Sequence, residues 1–355
     1  MRQPISMCRC HKAVRIMVVV LCACTPGKGK ADDKGFDLDQ LIYESRQPDT
    51  TLKYQAEQSV FAASVSTNVM ARFRVQYSYP YKKRERIDGT PETRVTFFED
   101  GKYLWTYVPS RNVVFKKPLQ SDTSPLPAHF YQDIERIKKN YQVMKRGPLP
   151  SSNVTCQVLE FLPRKNDRPR KEIWFEKERK IPIRIYISTR EGRPAYITEL
   201  DNLEWNPQID EQSVRLRVPQ GTKVYEIIER GNLTPAQAQR LLQHPILLPA
   251  RLPSGFYLFD ILFRAKGEHK WVQVVYSDGL SSFSIFQEQI TPTSEKGEGK
   301  STRPPVPILP EGASIRQYGL LNILTCDLED IRATLLGEVN EDELLDIARS
   351  FSSSK

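Results

Sequence analysis

Histidine and cysteine most readily carry nucleophilic, acid–base or metal chemistry near neutral pH, and this sequence has four histidines and six cysteines in 355 residues. His129, His244 and His269 are scattered, and none stands in a partner motif. No Gly-x-Ser-x-Gly elbow, glycine-rich phosphate loop, His-Glu-x-x-His or acidic metal box occurs. Carboxylate pairs such as Glu99-Asp100 fall beside glycine, where turn chemistry alone accounts for them. The expectation is a protein that is not an enzyme, with no catalytic residue, metal or cofactor.

Cys8, Cys10, Cys22 and Cys24 crowd the N-terminus, which leaves Cys156 and Cys326 in the body. In an oxidising compartment those two can pair, or they can stay as buried free thiols; their spacing decides neither. The N-terminus itself reads as an export signal. Arg2, Arg9, Lys12 and Arg15 precede the apolar run 16–24, which Thr25-Pro-Gly27 ends. Such a run is far short of the roughly 20 residues a membrane-spanning helix needs. Leu21-Cys22-Ala23-Cys24 is similar to a bacterial lipobox with Cys24 as the acylated residue, although Cys22 stands where a small or aliphatic residue is usual. Gly29-Lys30-Ala31 offers ordinary cleavage instead. The expected location is extracytoplasmic, in a periplasm, with membrane anchoring if Cys24 carries lipid.

The whole chain has a net charge of +9, and 39% of its residues are hydrophobic, the profile of a soluble globular protein. Without the first 24 residues, 48 basic side chains face 43 acidic ones. That small excess suits either an anionic surface or an ordinary solvated one, and gives no reason to expect nucleic acid.

The elements that would position a binding site are mostly strands. Phe36–Tyr43 has a short amphipathic helix pattern that continues weakly toward Gln58. From Ala71 to Tyr79 apolar and polar residues alternate, as a strand with one buried and one wet face requires. Two apolar runs, 94–98 and 102–108, flank Asp100-Gly101, a strong hairpin signal. Pro109–Asn112 then turns the chain into Val113–Phe115. Phe130, Ile134, Ile137 and Tyr141 have helical spacing over 130–144. Strand patterns resume at 155–161, 171–175, 182–187 and 195–200, for about eight strands in this half. After Val218-Pro-Gln-Gly221, Thr234-Pro235 opens a helix to Gln243. Strands at 256–263, 271–276 and 282–286 imply a second sheet of three or four strands, and 341–351 has one apolar helical face. The Pro, Gly, Ser, Lys and Glu-rich stretch 291–312 reads as a long loop. The expected class is α+β: a signal and tether over 1–31, a curved antiparallel sheet with packed helices over 32–221, and a smaller α+β domain with an antiparallel sheet over 222–355.

Several segments, taken in order, resemble the LolA/RseB superfamily of periplasmic proteins. Asp100–Pro109 followed by Asn112–Phe115 is similar to its Asp-Gly, aromatic, Tyr-x-Pro hairpin. Ile173–Arg184 resembles its strand, turn and Leu-Pro-Leu strand, and Leu203–Asp210 its closing Asn-Pro-x-Ile-Asp segment. In the second half, Leu252–Phe256, Val275–Phe286 and Leu336–Ser350 resemble the C-terminal domain of RseB/MucB-type regulators. The long loop at 291–312 and a basic turn, Lys82-Lys-Arg-Glu-Arg86, depart from the pattern.

The resemblance implies an N-terminal half-open barrel whose apolar face accepts acyl chains. It also implies a role in sigma-factor regulation and envelope stress, with the extracytoplasmic domain of an anti-sigma factor as partner. A LolA-like carrier of lipoproteins or lipids is the alternative. Phe73, Val75, Tyr77, Phe97, Trp105, Tyr107 and Phe115 are the candidates for lining the apolar trough, or they close into a core against the helix near Phe130. Lys82–Arg86 is either a contact for lipid phosphates or an acidic partner, or a solvated hairpin tip.

Overall fold

Alternation of apolar and polar residues over most of the chain builds two large antiparallel sheets with few helices. The computed structural model describes residues 38–46, 49–63, 68–119, 133–165, 167–290, 314–318 and 320–353. The expected export signal with Cys22 and Cys24, as well as His129, Phe130 and the stretch 291–312 expected to be a loop, lie outside the described residues. No described helix is long and apolar enough to cross a membrane.

The first sheet has twelve strands. Its first half is a meander of β1 (Lys53–Ala62), β2 (Val69–Ser78), β3 (Tyr81–Arg86), β4 (Thr96–Glu99), β5 (Tyr103–Val108) and β6 (Val113–Pro118). Gly101, at φ +83°, makes the β4–β5 turn in a conformation that L side chains avoid. The second half is β7 (Tyr141–Ser151), β8 (Val154–Pro163), β9 (Arg170–Glu176), β10 (Pro182–Ser188) and β11 (Pro194–Trp205). The pairing of β1 with β11 joins the halves, and β12 (Lys223–Glu226) adds itself to β6 as a parallel strand. The outermost strands, β12 and β7, do not pair with each other. The sheet is therefore a large curved one, open along those edges.

Four sequence expectations change in the first half of the chain. The helix pattern running toward Gln58 stops at Arg46, where α1 (Leu38–Arg46) ends, and Lys53 onward is the central strand β1. The helix expected over 130–144 is α2 (Ile134–Asn140), and Tyr141 begins β7. Apolar residues at 137 and 141 suit either period, and pairing of 141–151 with β8 outweighs helical continuation. Lys82–Arg86 is neither a turn nor a hairpin tip but strand β3, paired on both sides. The sheet has twelve strands where about eight were expected.

The second sheet has seven strands instead of three or four, in the order β13-β15-β16-β17-β20-β19-β18. These are β13 (Ile228–Arg230), β15 (Tyr257–Lys266), β16 (His269–Ser277), β17 (Ser282–Gln289), β18 (Ser314–Tyr318), β19 (Leu321–Leu328) and β20 (Ile331–Gly337). A two-stranded pair, β14 (Leu247–Pro249) and β21 (Phe351–Ser353), lies beside it in the sequence. The helix α3 (Pro235–Leu242) begins at a Thr234/Gln237 capping box, and α4 (Glu341–Arg349) at an Asn340/Glu343 capping box. Cys156 and Cys326 are both buried and free, and they stand in different sheets, on β8 and β19.

The two sheets meet where the β16–β17 turn presses on α2 and β7–β9. Leu280 of that turn joins Leu41, Ile42, Ile137, Phe161 and Phe175 in one core cluster. Gly279 lies at φ +102°, and a Cβ there would stand 3.0 Å from the Ile137 backbone nitrogen, so glycine permits the approach. Polar groups are buried along with it. The Tyr141 hydroxyl donates to Asp278 at 2.8 Å, and Asp278 also accepts from the N–H groups of Leu280 and Ser281. Lys171 donates to the Leu280 carbonyl at 2.9 Å and to Glu338 at 2.6 Å. Arg168 donates to Glu343 at 2.9 Å and lies 3.7 Å from Asp278, with its guanidinium over the Phe256 ring. Burial pushes the Asp278 carboxyl above its usual range despite these partners. Removing it leaves the buried Tyr141 hydroxyl and two N–H groups without their acceptor and takes one of the carboxylates from buried Arg168. Asp278→Ala is therefore expected to lower stability by roughly 3 kcal/mol in urea unfolding; a change within about 0.5 kcal/mol, the range of ordinary surface substitutions, would contradict the network.

Candidate functional site

Side chains directly opposite one another in an antiparallel pair share a face of the sheet, so the register of β2 to β6 sorts the candidate residues. Phe73, Val75 and Tyr77 on β2 stand opposite Arg86, Arg84 and Lys82 on β3. Arg84 and Lys82 in turn face Phe97 and Glu99 on β4. Phe97 pairs with Thr106, Thr106 with Phe115, and Phe115 with Tyr225 of β12. One face thus carries Phe73, Val75, Tyr77, Phe97 and Phe115 together with three basic side chains of β3.

Trp105 and Tyr107 do not join them. They pair with Phe98 and Thr96 and so occupy the opposite face. Trp105 lines a cavity of about 410 Å³ with Tyr81, Phe98, Tyr103, Val214 and Leu216, beneath the segment that leads from β11 to β12. Its indole N–H donates to Asp100 at 2.8 Å, and the same carboxylate accepts from the N–H groups of Lys102 and Tyr103 to shape the turn. Strand β5 is apolar or aromatic on both faces, so its sequence did not announce which face it turns where.

Within the first face the residues divide again. Val75 is sealed in a core cluster with Tyr54, Ala56 and Leu200, and Tyr77 packs against that cluster and stacks on Tyr54 at 5.2 Å between ring centroids. Burial pushes the Tyr77 phenol up to about 12. Phe73, Phe97 and Phe115 are only half-buried and belong to none of the core clusters among the described residues. Phe73 and Phe97 lie 6.2 Å apart with tilted rings, and Phe115 stacks on Tyr225 at 5.5 Å. Lys266, from the β15–β16 hairpin of the second sheet, reaches over both rings of that stack.

Between the phenylalanines lies charge that the sequence did not lead one to place there. The Arg84 guanidinium sits 5.2 Å from the Phe73 ring centroid and 4.6 Å from that of Phe97. Its hydrogen bond goes to Gln58 across β2, at 3.4 Å. The Lys82 ammonium lies 4.0 Å from Glu99. Burial holds both groups below their ordinary pKa values, and the charge of Arg84 lowers that of Lys82 further. The signal that could have found them is the same alternation that identified Phe73–Tyr77, carried across one more strand.

The histidines make no comparable constellation. His244 pairs with Asp330 at 2.6 Å and His269 with Glu288 at 3.2 Å, both near the surface of the second sheet. No cluster of metal-ligating side chains occurs among the described residues.

Comparison with known proteins places these elements. Residues 64–218 match the model of the MucB/RseB N-terminal domain. The sigma-E factor regulatory protein RseB of Escherichia coli K12 is 25% identical over 179 residues, covering 48% of this chain and 51% of that protein, about half its length. An uncharacterised protein of Methanocaldococcus jannaschii is 21% identical over 313 residues, 84% of this chain and 88% of that one. Among solved structures, the Pseudomonas aeruginosa MucA/MucB complex superposes with a TM-score of 0.54 at 15% identity, covering 90% of this chain and 98% of that chain. The chain is thus similar to the MucB/RseB N-terminal domain over 64–218, and its fold resembles that of MucB.

A buried ammonium with one distant carboxylate costs stability. Lys82→Met is expected to leave the protein equally stable or about 1 kcal/mol more stable in urea unfolding. Because the folded-state pKa of Lys82 is lowered, the unfolded chain holds that proton more tightly. The wild type should therefore gain stability as pH rises from the lowered value toward 10.5, a gain the variant lacks. A clear loss of stability in the variant would show that Lys82 supports the fold.

Proposed function

We propose that this chain is a non-enzymatic extracytoplasmic regulator, RseB-like in action, that binds the extracytoplasmic domain of an anti-sigma factor and senses a lipid-like ligand. In this reading the chain forms two domains, 32–221 and 222–355, after a signal and tether over 1–31. The open sheet of the first domain takes the ligand on the face of Phe73, Phe97 and Phe115. Both domains hold the partner, and ligand occupancy changes partner affinity as a coupling between two sites. The protein works in the periplasm, and meets the membrane surface if Cys24 is acylated.

The observation that carries this reading is the extent of the fold likeness. It runs over 90% of this chain onto a MucB chain solved together with MucA, and so takes in both sheets. The polar contacts of Asp278, Lys171 and Arg168 tie the sheets to one another, which suits a protein whose two parts act on a single partner.

The test is capture of recombinant extracytoplasmic segments of the anti-sigma factors encoded in the same genome. One segment should be retained with a Kd of about 10 μM or tighter. No retention across the set would overturn the regulatory reading, and transfer of a bound lipoprotein to an acceptor membrane would favour the carrier. For the ligand side, Phe73→Asp should weaken binding of an acyl probe at least about tenfold, and Trp105→Phe less than about twofold. The reverse order would put the ligand on the other face.

A further inference from the structure

Two cations and one carboxylate make an unbalanced set on a half-buried aromatic face. Arg86, next along β3, is matched by Asp88, whose carboxylate lies 3.2 Å from its Nε. Lys82 and Arg84 share Glu99, which is 4.0 Å from the ammonium and forms no ion pair with the guanidinium. Arg84 has five N–H donors, and among the described residues it spends one, on the Gln58 amide at 3.4 Å, beyond the usual range of such bonds. Lys82 has no acceptor within hydrogen-bond distance among the described residues. A positive charge that is desolvated and short of acceptors is costly unless an anion arrives to meet it. Phe73 and Phe97, under the same guanidinium, are half-exposed rings that an apolar chain can cover.

From this we infer that the trough selects an amphiphile with a single acidic head, seated head-inward: the anionic group lies on Arg84 and Lys82, and the alkyl chain runs along Phe97 toward Phe115. This rests on the trough reading above and deepens it by naming the ligand's head group and orientation. The head displaces water from Arg84, whose planar fork suits two oxygens of one carboxylate or phosphate. Glu99 sets the selectivity from the other side. It offsets one of the two positive charges when the site is empty, and it repels a second anion.

The experiment measures affinity of the purified protein for a dansyl-labelled fatty acid and for its methyl ester, which have the same chain and differ in head charge. The acid should bind about tenfold more tightly than the ester, the worth of one charge-assisted contact. Arg84→Gln should bring the two within about twofold of each other by weakening the acid alone, and Lys82→Gln should narrow the gap in the same direction. Unchanged ester affinity certifies that those variants are folded. Glu99→Gln removes the opposing carboxylate and should tighten the acid by several-fold, a gain that damaged folding cannot produce. Equal binding of acid and ester to the wild type would overturn the inference and leave the trough reading standing. Binding of neither probe would overturn both. Displacement of the acid by millimolar inorganic phosphate as readily as by unlabelled fatty acid would mean a free-anion site, and would overturn it as well.

Discussion

Arg84 stands between Val75 on one neighbouring strand and Phe97 on the other, and strand geometry leaves its side chain one direction in which to go. Alternate residues of a strand point to opposite faces. Once Val75 is committed to the buried cluster of Tyr54 and Leu200, Arg84 and Lys82 must emerge on the same face. A slip of one residue in β3 would turn Lys83 and Glu85 onto the aromatic face, a mutually neutralising pair in place of Lys82 and Arg84. The character of this face, aromatic rings with basic groups between them, follows from that pairing. So does its energetic cost, since burial lowers the pKa of both cations. Groups that weaken a fold and lie beside half-covered aromatic rings are what a binding surface requires and a core avoids.

The opposite end of the same sheet treats charge differently. There Tyr141, Lys171 and Arg168 are also buried, but each meets an acceptor on the β16–β17 turn or on α4. Glu343 does two jobs at once, closing the capping box of α4 and receiving Arg168. The result ties the first turn of that helix to β9 and its preceding loop. Contacts from the β16–β17 turn and α4 hold the two sheets together, whereas Lys82 and Arg84 on β3 have one carboxylate between them beside half-buried aromatic rings.

Much of this architecture was legible in the residues. Asp100-Gly101 marked its hairpin, Thr234-Pro235 its helix start, and 71–79 its strand, because each depends on local chemistry that no distant contact overrides. The failures came where two periods fit the same residues. Ile137 and Tyr141 suit a helix as well as a helix end followed by a strand, and only the pairing of β7 with β8 decides between them. Trp105 and Tyr107 alternate with Leu104, Thr106 and Val108, so hydrophobicity cannot name the inward face of β5; the register with Phe97 and Phe98 does. Lys82–Arg86 looked like a solvated tip because every residue in it is charged. As a strand it sends those charges to two faces, and the aromatic partners that make one face special lie in β2 and β4, about ten residues away on either side. The parallel pairing of β12 with β6 was beyond reach for the same reason, since a contact across more than a hundred residues leaves no mark on either segment.

The claim on which this account turns is that the face of Phe73, Phe97 and Phe115 receives an apolar chain. Anomalous diffraction from crystals soaked with a fatty acid brominated at its tail tests it directly. The account predicts a bromine peak beside Phe115, on the side of the sheet that carries Arg84. A peak in the cavity of Trp105 and Phe98, or an anomalous map with no peak on either face at full soaking, would contradict it.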